Sequence, residues 1–166
     1  AILPLQHGND SSTKPIGYRR KIVKSQVLSY LLDTNVVSEL VRAKPDAAVL
    51  KWFEAVPDQA LHFSVLSLGE IRKGVELLKD GARKEKLRLW LEQELTSWLE
   101  GRLLPVSAPV ADRWGRLLAE ANRPVPAIDG LLAATALHHE LRLVTRNEAD
   151  FRFQGLEVVN PWAFAK

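Results

Sequence analysis

The chain contains no cysteine, which excludes both a disulfide framework and a thiolate metal site. A reducing cytoplasm is compatible with that absence. No apolar stretch approaches the roughly 20 residues of a membrane span, and the opening Ile2-Leu3-Pro4-Leu5 is too short for the core of a signal peptide. A soluble, cytoplasmic protein with no membrane contact is the expectation. Four histidines are present, none at metal-ligand spacing. His138 and His139 fall on one predicted helix, where adjacent residues point in different directions, so surface positions are expected of both. There is no glycine-rich phosphate loop and no internal repeat.

What is present suits a single domain. With 166 residues, 46% of them apolar, the chain can bury one substantial core. The net charge of +3 is unevenly spread. Residues 1–28 carry five basic side chains against one acidic, leaving 18 basic and 19 acidic for the rest. The basic excess therefore belongs to the leading segment, and a nucleic-acid role has to rest on local patches. That segment is polar, turn-prone and aperiodic from His7 to Pro15, without the apolar surface that offsets the cost of ordering. Residues 1–27 are expected to form a flexible N-terminal tail or an upstream segment, and residues 28–166 the domain.

From there, strand and helix signals alternate. Strands are predicted at residues 27–32, 60–64, 103–106, 141–145 and 156–159, with Pro105 favouring an edge position for the third. Helical spacing runs over residues 36–42, 46–56, 67–78, 83–100, 110–122 and 128–140. Strands joined through helices imply crossover connections, hence a three-layer α/β/α fold around a mainly parallel, roughly five-stranded sheet. Trp52, Trp90, Trp98, Trp114 and Trp162 are read as core or helix-contact residues.

Four acids stand just beyond a strand or at a helix entrance. Asp33 ends the apolar run and opens Asp33-Thr34-Asn35; it suits a helix N-cap and a functional carboxylate equally, and the residues leave both open. Glu70 falls in the first turn of the helix predicted after the second strand, Asp129 at a helix start, and Asp150 after the fourth strand. Convergence of such acids on one rim of the sheet would raise one or more pKa values unless a cation compensates. Hard oxygen ligands select Mg²⁺ or Mn²⁺ over zinc. A cation held there could lower the pKa of bound water and offset charge on a phosphodiester, which points to hydrolysis of a nucleic-acid backbone.

The ordered set Leu31-Leu32-Asp33-Thr34-Asn35-Val36-Val37-Ser38-Glu39, Ser67-Leu68-Gly69-Glu70-Ile71-Arg72-Lys73-Gly74, Ile128-Asp129-Gly130-Leu131-Leu132-Ala133-Ala134-Thr135-Ala136 and Val144-Thr145-Arg146-Asn147 resembles PIN-domain proteins of the VapC and FitB toxin type. The resemblance extends from about Leu28 to the closing Asn160-Pro161-Trp162, with FitB-like members nearest. It implies a divalent-metal-dependent endoribonuclease, the toxin of a type II toxin–antitoxin pair. Asp33, Glu70 and Asp129 fall on the family's metal-binding acidic positions, while Asn35 and Thr145 match polar positions that support them. Where many members have an acid after Thr-Arg, this chain has Asn147, so Asp150 is the candidate fourth carboxylate. Arg72, Lys73 and Arg146 are candidate phosphate contacts, with a solvated face or an ion pair as the plain alternative. The implied partners are RNA, a cognate antitoxin and a second copy of the chain, with DNA reached only through the antitoxin.

Other classes fit less well. A haloacid-dehalogenase-like phosphatase would need an acid at Asn35 and a late lysine; a receiver-like phosphoacceptor would need an acidic pair before Asp33. A catalytically silent PIN domain that binds RNA or a partner is the remaining alternative, given weight by Asn147.

Overall fold

The computed structural model describes residues 28–164, so the tail expected over residues 1–27 lies outside the described residues. Five short strands form one sheet: β1 (Tyr30–Leu32), β2 (Leu61–Ser64), β3 (Leu103–Leu104), β4 (Arg142–Val144) and β5 (Val158–Val159). Their spatial order is β3-β2-β1-β4-β5, and every pairing is parallel. The strand next to Pro105 is an edge, where a missing backbone donor costs least. The central strands are covered on both faces: Leu31, Leu32, Leu61, Phe63, Leu143 and Val144 are fully buried, as in a parallel sheet packed on both sides.

Alternation along the strands sorts these side chains into two cores. Leu32, Phe63 and Val144 pack with α1 (Thr34–Glu39), α2 (Ala47–Ala55) and α3 (Val65–Glu76). Leu31 and Leu143 pack on the opposite face, against Leu117 of α6 (Ala108–Glu120) and Leu132, Ala133 and Ala136 of α7 (Ala127–His138). Helices on both faces make the three layers. Trp52 and Trp162 are buried in the first core, with Trp90 and Trp98 packed against it. Trp114 instead meets Gly130: a Cβ there would lie 2.8 Å from Trp114 Nε1, so α6 and α7 approach closely only because residue 130 is glycine.

Three expectations are corrected. The helix after β2 begins at Val65, not Ser67, because Ser64 accepts a hydrogen bond from the Leu66 amide at 3.1 Å and serves as the cap. Ser67 is buried inside the helix, and Glu70 stands beyond its first turn. The helix predicted over residues 83–100 is α4 (Ala82–Leu89), a π-helical stretch (Trp90–Leu95) and α5 (Thr96–Trp98). Leu91, Leu95 and Leu99 are all buried at a spacing of four, which drifts around a helix of 3.6 residues per turn. The wider turn holds them on one face, with Thr96 Oγ1 donating to the Leu91 carbonyl at 2.8 Å. His138 and His139 are both exposed as expected, yet their rings meet edge to face at 4.8 Å because His139 has already left the helical conformation. Among the described residues no helix is long and apolar enough to cross a membrane.

Candidate active site

Sheet register builds the site. Leu32 aligns with Phe63 on one side and Val144 on the other, so the next residues, Asp33, Ser64 and Thr145, emerge together at the carboxyl edge of the three central strands. Asp33 is only 8% exposed and uses both oxygens. Oδ1 accepts from the Thr34 amide at 2.7 Å, capping α1. Oδ2 accepts from Thr145 Oγ1 at 2.8 Å and from Asn35 Nδ2 at 2.9 Å. Capping and site membership, which the residues alone left open, are thus divided between its two oxygens.

Thr145 is the hub of this network. Its hydroxyl donates to Asp33 and accepts from Asn35 Nδ2 at 3.1 Å and the Asn147 amide at 3.0 Å, filling its hydrogen-bonding capacity. Asn35 completes the lattice by accepting from the Arg146 amide at 3.3 Å. The β1–α1 corner and the loop after β4 are therefore locked together by side chains that separate strands supply.

The other acids gather around this corner. Thr34 Oγ1 donates to Glu70 Oε2 at 2.7 Å, fixing Glu70 beside Asp33. Burial pushes the Asp33 carboxyl above its usual range, and the Glu70 charge adds to the rise against the lowering hydrogen bonds. Asp129, in the first turn of α7, is also pushed up, first by burial and then by the charges of Asp33, Asp150 and Glu70, with Arg123 opposing. Asp129 thus feels all three other acids. Asp150 is exposed on a short 3-10 turn (Glu148–Phe151), its amide donating to the Asn147 carbonyl at 3.1 Å. The Asn147 side chain is exposed and makes no hydrogen bond among the described residues.

The donor set is entirely oxygen, and its crowded negative charge suits a hard divalent cation that would relieve the repulsion. The fit lies in charge and donor type: among the described residues, no three His, Cys, Asp or Glu side chains already stand as a closed ligand set.

Of the candidate phosphate contacts, Arg72 is ion-paired with Glu76 at 3.4 Å and Glu92 at 3.0 Å. Lys73 is exposed and makes no ion pair among the described residues, and Arg146 stacks 5.3 Å from the centre of the Trp162 ring. Two residues escaped the sequence reading. Thr34 was visible only as the middle of Asp33-Thr34-Asn35, and its contact 36 positions away carries no local signal. Arg123 reaches the acids through a hydrogen bond to the Asp150 carbonyl at 2.7 Å, a position set by how α6 hands over to α7. Glu39, buried at 4% exposure, accepts from the Asp46 amide at 2.9 Å and pairs with Arg42, which ties α1 to the start of α2.

Comparison with known proteins places this geometry. The PIN domain profile matches residues 30–154. The chain is 36% identical over 135 residues to VapC ribonuclease Y4jK of Sinorhizobium fredii, spanning 80% of this chain and 96% of that protein. It is equally identical, over the same length, to Toxin FitB of Neisseria gonorrhoeae, spanning 97% of that protein. Among solved structures, FitAcB from Neisseria gonorrhoeae superposes with a TM-score of 0.77 at 36% identity, covering 81% of this chain and 99% of that one. FitAB bound to an IR36 DNA fragment superposes with a TM-score of 0.76 at 33% identity, covering 82% and 98%.

Proposed function

This chain belongs to the PIN-domain family, and from that premise we propose that it is a divalent-metal-dependent endoribonuclease, the toxin of a type II toxin–antitoxin pair. The observation that carries the reading is the convergence of Asp33, Glu70 and Asp129, with Asp150 at its margin, on the carboxyl edge of the sheet. Relatives named as a VapC ribonuclease and as Toxin FitB supply the reaction class and the biological role.

Asp33, Glu70 and Asp129 would hold Mg²⁺ or Mn²⁺, with Asp150 contributing directly or through water and Asn147 offering a neutral carbonyl in place of a fourth charge. The bound cation supplies an activated water and offsets charge that develops on the phosphodiester. The chain's own residues set the geometry. Thr145 and Asn35 hold Asp33 Oδ2 in one orientation, and Thr34 holds Glu70 toward it. The hydrogen bonds that Asp33 accepts from Thr145, the Thr34 amide and Asn35 favour its ionised form, which a cation needs, against the burial that opposes it. Positioning of this kind costs no reorganisation during the reaction.

The fold's relatives were solved as FitAB and VapBC assemblies, some bound to DNA. For this chain the corresponding partners are a cognate antitoxin and a second copy of itself, with DNA contacted through the antitoxin. Asp33→Asn and Asp129→Asn, purified in full, test the assignment by Mn²⁺-stimulated cleavage of RNA. Both variants are expected to lose cleavage while keeping their circular dichroism spectrum; undiminished activity in both overturns it. RNA binding without cleavage by the unaltered protein would instead favour the silent PIN domain that Asn147 raises.

A further inference from the structure

A second feature lies beside the acids and opposite to them in charge. A cleft of about 690 Å³ runs between α6 and the segment after β4, lined by Arg113 and Arg116 of α6, Arg123 from the α6–α7 turn, and Arg152 and Phe153 from the far wall. All four arginines are exposed, and Glu120 is the one acid in the lining. That concentration stands out because residues 29–166 carry 18 basic side chains against 19 acidic.

The arginines are not equivalent. Arg116 is already committed to Asp112 at 3.0 Å. Arg123 lies 4.9 Å from the centre of the Phe153 ring and donates to the Asp150 carbonyl, so it links the cleft to the acids around Asp129. Arg113 and Arg152 make no ion pair among the described residues. The negative end of α6 accounts for cations near Glu120, but not for Arg113 two turns earlier, about 10 Å along the axis, nor for Arg152 on the opposite wall.

We propose that this cleft binds the backbone of single-stranded RNA flanking the scissile phosphodiester, with Arg113 and Arg152 on phosphates and the Arg123–Phe153 pair as a platform for a base. Guanidinium groups suit phosphate oxygens, and a ring topped by a guanidinium plane offers stacking that tolerates any base. A strand on this track leaves the cleft at Arg123, whose guanidinium donates to the Asp150 carbonyl and acts on Asp129, whereas an acidic peptide would have no use for the stacking platform. The inference rests on the ribonuclease reading above.

The test is binding of a fluorescent single-stranded oligoribonucleotide to the full chain in EDTA, so that cleavage does not intervene. The paired substitution Arg113→Gln with Arg152→Gln is expected to raise Kd about tenfold and to flatten the dependence of log K on log salt by about 1.4, two phosphates at roughly 0.7 each. Lys51→Gln, which removes an exposed cation on α2 across the sheet from the cleft, should leave both nearly unchanged. Arg113→Lys with Arg152→Lys should restore most of the affinity, which a purely structural role would not predict. Unchanged Kd and salt slope in the glutamine pair overturn the inference, as does weakening confined to an acidic peptide with RNA binding intact. A protein that binds RNA with the expected slope but fails to cut it when Mn²⁺ is restored overturns the ribonuclease reading alone.

Discussion

Thr145 Oγ1 donates to Asp33 Oδ2 at 2.8 Å across 112 positions of sequence, and the same hydroxyl accepts from Asn35 and the Asn147 amide. Removing it strips one carboxylate of a donor and leaves two N–H groups without an acceptor. Thr145→Val, which keeps the shape, is expected to cost about 1–3 kcal/mol, the range for buried polar groups left unsatisfied. Thermal melting reads the loss. RNA cleavage should fall further than stability alone explains, since Asp33 is no longer held in orientation, and Thr145→Ser should recover most of both. Wild-type melting and cleavage in the valine variant would show that the network has no such role.

Crowded acids strain the fold in the absence of a cation. Asp33 and Asp129 both have folded-state pKa values above the ordinary aspartate value, chiefly through burial. The folded state therefore binds protons more tightly than the unfolded chain, and stability from these groups is full at low pH. It is lost as pH rises from the ordinary aspartate range through the raised values. At neutral pH and without metal, Asp129→Asn should raise the melting temperature, each kcal/mol amounting to ~2–4 °C at this size. Added Mn²⁺ should then raise the melting temperature of the unaltered protein and hardly move that of the variant. A variant that melts lower than the unaltered protein in EDTA would contradict this.

The alternation of strands and helices was legible because each strand is a short apolar run and each helix carries its own period; the sheet's edge at Pro105 followed from one missing donor. Asp33 and Asp129 could be placed at the rim for the same reason, each marking a boundary between elements. What stayed hidden depended on register and packing. The pairing of Leu32 with Val144 puts Thr145 against Asp33, and nothing near Thr145 announces it. The cap at Ser64 moved the start of α3 and with it the turn on which Glu70 stands, because an Ser hydroxyl at a strand end competes equally with Ser67 for that job. The π-helical turn arises from three leucines spaced four residues apart, a spacing that only a neighbouring core can enforce.

Gly130 follows Asp129 directly and lets α7 approach α6. A Cβ at this position would stand 2.8 Å from Trp114 Nε1 and 3.3 Å from Val125 Cγ1. Gly130→Ala gains about 1 kcal/mol in helix propensity, set against the ~1–3 kcal/mol typical of overpacking. The indole is ring, not a flexible tip, so the clash is expected to win. A lower melting temperature and weaker cleavage should appear together, since α7 also carries Asp129. Trp114→Phe in the same chain removes the indole nitrogen and should recover part of the loss; a stabilised single variant would contradict the close packing.

Asn147 is the position where this chain lacks a charge that a fourth carboxylate would bring. Its side chain is exposed and unrestrained by hydrogen bonds among the described residues, while its amide is fixed on Thr145 Oγ1 at 3.0 Å. Asn147→Asp therefore adds an acid on an already anchored backbone, near Asp150 and close to the others. Without metal the added charge should raise the Asp129 pKa further and lower stability slightly at neutral pH. With metal the sign reverses, because each extra carboxylate strengthens attraction for a hard cation. Calorimetric titration with Mn²⁺ should give tighter binding in the variant, and cleavage should reach its maximum at lower Mn²⁺. If affinity is unchanged while the apo protein is destabilised, residue 147 faces the acids without reaching the cation, and Asp150 is left as the fourth carboxylate.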